Sequence, residues 1–155
     1  MSHSSLAAPA TPVTPAPPTT VQLMELFALA STAYFQDFAA VAANQGLTST
    51  QAKLLSQLRQ PLSMRELAER LVCDASNITG IVDRLEARGL VRREMRPGDR
   101  RVKNVVRTDA GTDAILRVRD EMQATHQALA GLGDADRIAL ADLLQRLRAS
   151  LDQRA

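Results

Sequence analysis

Nine basic side chains fall between positions 84 and 107 (Arg84, Arg88, Arg92, Arg93, Arg96, Arg100, Arg101, Lys103 and Arg107), against three acidic ones, Glu86, Glu94 and Asp99. That window carries a net charge of +6 in a chain whose total is +2, so the remainder sums to −4. Guanidinium and ammonium groups gathered on one segment of an otherwise acidic body make a docking surface for a polyanion, and double-stranded nucleic acid is the partner this asymmetry suggests. Charge alone fits a solvated, arginine-rich hairpin as well. The elements that hold these charges decide between the two.

Immediately before the basic window, Ile78, Ile81, Val82 and Leu85 recur at the i, i+3, i+4, i+7 spacing of a helix with one buried stripe, over about 75–88. Gly89 closes it. Leu90-Val91 and then Val102, Val105 and Val106 read as two strands of a hairpin turned at Pro97-Gly98. With the stripe facing a core, Ser76, Gly80, Asp83 and Ala87 lie opposite it, Asn77, Arg84 and Arg88 on one flank and Thr79 on the other. Small, polar and basic side chains are what an α-helix needs to enter a major groove, and Arg84 is the best placed for a base or phosphate contact. Gly80 in mid-helix costs about 1 kcal/mol relative to alanine, which close approach of DNA would offset. A merely tolerated glycine is the alternative. Asp83 would repel phosphate and is assigned to orienting a wing arginine, with Asp99 structural in the turn. Arg96, Arg100, Arg101 and Lys103 surround the hairpin tip, where they can reach into an adjacent minor groove.

The rest of the chain frames this unit. Residues 1–20 hold five of the seven prolines amid Ala, Ser and Thr and are expected to be a disordered or polyproline-like tail. Dense apolar positions over 21–44, ended by Asn44-Gln45-Gly46, predict a long first helix. Thr48 to Gln51 and Ser63 to Glu66 match the capping-box pattern and start helices over about 48–59 and 63–71. Thr108 starts a helix reaching about Leu129, with Ile115, Val118, Met122, Thr125, Leu129 and Leu132 on a heptad-like seam. Gly131 and Gly133 break it, Asp134 caps the next helix, and Leu140, Leu143, Leu144, Leu147 and Leu151 stripe that helix to the end. The first and last helices offer more apolar surface than a small monomer covers, so a homodimer is expected, with packing inside one subunit as the alternative.

Composition narrows the remaining choices. A 155-residue chain with 45% hydrophobic content has room for one domain with a core, and not for two catalytic domains. The single cysteine, Cys73, excludes an internal disulfide framework. No leader-like h-region is visible and no segment approaches the ~18 apolar residues of a membrane span, so a cytoplasmic protein without membrane contact is expected. His3 and His126 are isolated, and no metal-ligand spacing, phosphate loop or nucleophile motif appears, so neither enzyme activity nor a cofactor is expected. Cys73 lies just before the 75–88 helix, where a helix N-terminus can lower a thiol pKa enough for redox sensing; a buried, inert side chain is the alternative.

The run from Leu67 to Gly111 resembles the MarR family of bacterial transcriptional regulators. Leu67-Ala68 and Leu71 look like the first helix of its helix-turn-helix, and Ser76 to Glu86 like its recognition helix. Arg88-Gly89-Leu90-Val91 is similar to the exit into the wing. Asp99-Arg100-Arg101 and Thr108-Asp109-Ala110-Gly111 match the motif spanning the wing and the next helix. One departure is Arg107, where the family usually has leucine, so either the wing lacks an apolar side chain beneath it or it carries an added charge. The resemblance implies a mainly α winged helix-turn-helix over 21–155, with a DNA-binding lobe at about 48–107 and dimerisation helices at about 21–44 and 109–152. It implies a repressor on a pseudo-palindromic duplex and points to Arg101 in the wing. The aromatics Phe27, Tyr34, Phe35 and Phe38 fall where the family often lines a pocket for small aromatic or phenolic ligands; core packing is the alternative. Two readings stay open beside it: an oxidant sensor acting through Cys73, and a winged-helix module whose basic wing meets an acidic protein.

Overall fold

The computed structural model describes residues 16–96 and 99–153, with side chains at 96–102 left out of the description. Residues 1–15 of the proline-rich segment and the Pro97-Gly98 turn therefore lie outside the described residues. Two compact units are distinguished, the first ending at Thr32 and the second beginning at Ala33.

The first helix, α1 (Thr20–Asn44), opens on a reciprocal cap: Thr19 N donates to Gln22 Oε1 at 2.9 Å, and Gln22 N to Thr19 Oγ1 at 3.3 Å. Within the first unit its large apolar side chains, Val21, Leu23, Met24, Leu26, Phe27 and Leu29, are all exposed. Glu25 and Asp37 are its only charges, and α1 is long and apolar enough, by length and composition, to cross a membrane. This corrects the expectation that no segment approaches that limit: alanines raise the helix average although no long uninterrupted apolar run exists.

In the second unit, α2 (Ser49–Gln57) and α3 (Met64–Leu71) start at the two expected capping boxes, both complete. Asp74 caps α4 (Ala75–Ala87) by accepting from Asn77 N at 2.8 Å, and the thiol before it stays half-buried. Two strands follow, β2 (Val91–Arg96) and β3 (Asp99–Arg107), and a short strand not anticipated from sequence, β1 (Leu62–Ser63), pairs with the far edge of β3. The sheet order is β1-β3-β2, antiparallel throughout, with Leu62 opposite Val105 and Val91 opposite Arg107. Leu54, Leu55, Leu62, Leu67, Ile78, Leu85, Val105 and Ile115 bury side chains from every layer of this lobe and lock α4 against the wing. Mainly helical elements with a three-stranded wing are the winged helix-turn-helix expected.

Three expectations fail in the C-terminal part. The helix from Thr108 is broken into α5 (Asp109–Asp120) and α6 (Gln123–Ala130), because Met122 turns into the core with ψ 69° and a carboxylate from α1 caps the new end. Asp37 Oδ2 accepts from Thr125 N at 2.9 Å and from its hydroxyl at 2.7 Å. The heptad-like seam is accordingly split: Ile115, Val118 and Met122 are buried within the lobe, whereas Leu129 is exposed. Finally, Gly133 rather than Asp134 is the cap residue of α7 (Asp134–Asp152), and no side chain caps that helix. No residue of α7 is buried, and Ile138, Leu143, Leu144, Leu147 and Leu151 stand exposed along it.

Val72, which ends α3, is held in the left-handed region at φ 52° with 92% of its surface exposed. A β-branched residue there costs about 1–2 kcal/mol, and no burial offsets it. Val72→Gly is expected to raise stability by about 1 kcal/mol, after glycine's greater entropy loss, and thermal unfolding would read this as a shift of roughly 2–4 °C.

Candidate nucleic-acid interface

The exposed face of α4 is built from its N-terminus upward. Asp74 accepts from Ser76 Oγ at 2.7 Å as well as from Asn77 N, and these bonds, the Ser76 hydroxyl foremost, hold its carboxyl below the usual range. Ser76, Asn77, Thr79 and Arg84 are exposed and Gly80 is half-exposed, as the helical stripe requires. The Thr79 hydroxyl returns to the Ala75 carbonyl at 2.9 Å. A Cβ placed on Gly80 would have Arg84 Nη2 at 3.8 Å as its nearest neighbour, an ordinary contact. Nothing among the described residues thus demands glycine at this position.

Arg88, which the helical wheel placed on the same flank as Arg84, is engaged elsewhere: its Nη1 donates to the Gly46 carbonyl at 2.7 Å and ties α4 to the α1–α2 loop. The wing is joined to α4 by Arg93. Its Nη2 lies 2.6 Å from Asp83 Oδ1, its Nη1 pairs with Glu86 Oε2, and its backbone N–H donates to Glu86 Oε1 at 2.9 Å. The Asp83 bond leads the interactions that raise the guanidinium's pKa, so Arg93 is a fixed cation and Asp83 acts as the orienting carboxylate expected of it. Lys103 is exposed on β3. Arg96, Arg100 and Arg101, the other candidate wing contacts, have side chains outside the described residues, as does Asp99.

Of the four aromatics, Tyr34, Phe35 and Phe38 form one cluster, with ring centroids 5.3 Å apart for Tyr34–Phe35 and 6.3 Å for Tyr34–Phe38. They border a cleft of about 560 Å³, within the range of small-molecule sites. Phe27 lies in the first unit and is exposed. What sequence reasoning missed is the rest of the cleft's lining: Lys53, Arg59, Arg70, Arg119 and Arg148 line it, and among the described residues no carboxylate does. Lys53 Nζ sits 4.9 Å above the Phe35 ring. Drawn from α2, α3, α5, α7 and a loop, these cations have no common sequence spacing that could have announced them. Cys73, the candidate redox residue, lines a separate surface depression with Met64, Ala68 and Val72, and its Sγ donates to the Leu71 carbonyl at 3.3 Å.

Arg107 ends β3 at the root of the wing. Its Nη1 donates to the Leu55 carbonyl at 3.0 Å and its Nε to Thr112 Oγ1 at 3.1 Å, with no carboxylate partner among the described residues. Burial, and then repulsion from Arg119 and Arg59, lowers its pKa. Where an apolar leucine would pack beneath the wing, this chain therefore places a charge that points inward to backbone, not outward from the wing.

The architecture matches known proteins. A model of the MarR family matches residues 47–103. The chain is 36% identical over 121 residues to the HTH-type transcriptional repressor NicR of Pseudomonas putida, spanning 75% of this chain and 73% of NicR. It is 31% identical over 128 residues to the HTH-type transcriptional regulator TtmR of Methylorubrum extorquens, spanning 81% and 65% of the two chains. Among solved structures, apo wild-type MarR of E. coli superposes with a TM-score of 0.66 at 24% identity, over 81% of this chain and 96% of that one. BpsR of Bordetella bronchiseptica, whose DNA binding is regulated by 6-hydroxynicotinic acid, superposes with a TM-score of 0.62 at 25% identity, over 86% and 98%.

Proposed function

We propose, from the premise that this chain belongs to the MarR family of DNA-binding transcriptional regulators, that it is a cytoplasmic homodimeric repressor released from its operator by a small aromatic acid. The observation that carries the DNA-binding reading is the α4 face: exposed Ser76, Asn77, Thr79 and Arg84 beside a glycine the fold does not need, on a helix pinned to a basic hairpin by Arg93. Asn77, Thr79 and Arg84 read base edges in the major groove. Arg96, Arg100, Arg101 and Lys103 carry the wing into the adjacent minor groove. The exposed apolar faces of α1 and α7 support a homodimer, which aligns two recognition helices on a pseudo-palindrome about one helical turn apart. Support for the effector comes from the aromatic cleft and from BpsR, which responds to an aromatic acid. The repressor sign follows NicR.

Wing and recognition helix should fail differently. Arg101→Ala is expected to weaken operator and scrambled duplex alike and to reduce the salt slope by roughly one per subunit. Arg84→Ala should cost about 1–3 kcal/mol on the operator and much less on scrambled DNA. Titrations of both variants at several salt concentrations measure this. Unchanged affinity in a folded, dimeric Arg101→Ala protein would remove the hairpin from the interface, and salt-independent binding would favour an acidic protein partner instead.

A further inference from the structure

The chain crosses between the lobe's core and the apolar helices assigned to the dimer at two points. In α1 the first buried side chain is Phe38, and no described residue before it is buried. At the other end Met122 is the last buried residue, and nothing described after it, in α6, α7 or the turn between them, is buried. One side chain joins the two crossings. Asp37, the neighbour of Phe38, accepts from the amide of Thr125 at 2.9 Å and from its hydroxyl at 2.7 Å. Among the described residues, no other hydrogen bond ties the chain after Met122 to any element before α5.

The bend held by this pair is not written in its own segment. Arg119 to Ala124, RDEMQA, contains neither glycine nor proline, and by propensity a helix would run through it. The bent form is selected from outside. Met122 is drawn into the core, and Gln45 Nε2 donates to both carboxylate oxygens of Glu121 at 2.9 and 3.0 Å. Asp37 takes the amide of the third residue of α6, which an N-cap side chain ordinarily takes and Met122 cannot. Its carboxylate also faces the positive end of the α6 dipole. Without that carboxylate α6 stays connected to α5 through Met122 but loses the bond that fixes its direction from the lobe.

We infer that Asp37 is a positioning residue for DNA recognition: through Thr125 it fixes the angle at which α1 and α6 leave each lobe, and so sets the half-site spacing the dimer accepts. This rests on the homodimer reading above and adds the residues that set the geometry of its operator. Each base pair added between half-sites moves the second by about 3.4 Å along the duplex and about 35° around it. A fixed joint rejects that displacement, whereas a loosened one follows it.

The test uses the full-length protein and the half-sites that the wild type selects from a random library. They are offered as a single half-site and as pairs with the selected spacer, or a spacer one or two base pairs shorter or longer. The wild type should lose roughly tenfold in affinity when the spacer changes by one base pair, because only the correct spacing lets both lobes engage at once. In Asp37→Ala that loss should shrink to less than about threefold, while affinity for the single half-site stays within about twofold of wild type. Asp37→Asn, which keeps an oxygen for the Thr125 amide, should restore most of the discrimination. A wild type indifferent to spacing would take down the homodimer reading and this inference together. If the wild type discriminates and a folded, dimeric Asp37→Ala keeps the same profile, even with a lower melting temperature, the homodimer reading stands and the inference is overturned. Weaker binding of Asp37→Ala to the single half-site overturns it as well, since the lobe itself is then altered. Should Asp37→Ala not form a folded dimer, Thr125→Val, which loses the hydroxyl bond and keeps the amide, decides by the same profile: flattened supports the inference, unchanged overturns it.

Discussion

A protein carrying Leu144→Asp and Leu147→Asp is expected to sediment as a monomer and to bind its operator about 10³-fold more weakly than the wild type. Both leucines stand on α7, 47% and 43% exposed, on a helix with no buried residue, so neither substitution disturbs the lobe's own core. A helix of 19 residues whose leucine stripe no described residue buries is marginal in water, and a second subunit is the partner that the proposed pseudo-palindromic operator calls for. Two charges placed in the middle of such an interface lack partners and resist burial. The drop in affinity follows from geometry: once one recognition helix is seated, the second half-site is met at an effective concentration set by the subunit connection, and that linkage contributes roughly 10²–10⁴-fold. The single lobe should keep its salt-dependent binding to random duplex, because Arg84, Lys103 and the wing are untouched. Unchanged mass by sedimentation, or a clean monomer that still binds operator tightly, would remove the dimer from the proposed mechanism.

The parts of this fold that could be read ahead of the structure are those whose causes are local. Thr48 with Gln51 and Ser63 with Glu66 satisfy backbone amides within three residues, so the starts of α2 and α3 are visible as spellings. The stripe of Ile78, Ile81, Val82 and Leu85 likewise carries its own period, and with it the exposed candidate face. The break at Met122 has a cause that no local window contains, because the carboxylate that caps α6 belongs to Asp37, 88 residues earlier than Thr125. Periodicity also cannot tell a dimer seam from an inward stripe: Ile115, Val118 and Met122 keep heptad spacing while filling the lobe's own core. β1 is two residues long and exists only because β3 offers it an edge. The candidate site divides the same way. Its helix face lies on one continuous segment, whereas the cations of the cleft are scattered between Lys53 and Arg148 and become a group only once the chain is folded.

Two glycines should respond to alanine with opposite signs, and the contrast separates folding from recognition. Gly111, in the first turn of α5, lies against the backbone where β2 begins: a Cβ there would stand 2.0 Å from the Leu90 carbonyl oxygen and 2.9 Å from Arg107 Cγ. The arginine's methylenes can yield, but the carbonyl cannot, because it also accepts from Thr108 N at 3.2 Å. Gly111→Ala must therefore push α5 off the wing root, at a cost of about 3 kcal/mol and a melting temperature lower by roughly 10 °C. Gly80 has the reverse circumstances. Its added methyl meets only Arg84 Nη2 at 3.8 Å, so Gly80→Ala should gain up to about 1 kcal/mol of helix stability. The same methyl would stand between α4 and any DNA backbone that approaches it, so operator affinity should fall as stability rises. Thermal unfolding and operator titration on the two variants measure both signs. A Gly111→Ala protein as stable as the wild type would mean that α5 can retreat from Leu90 at little cost. If Gly80→Ala is more stable and binds operator undiminished, DNA does not come close to that turn of the helix, and the recognition face must be shifted toward Arg84 and the helix's C-terminal end.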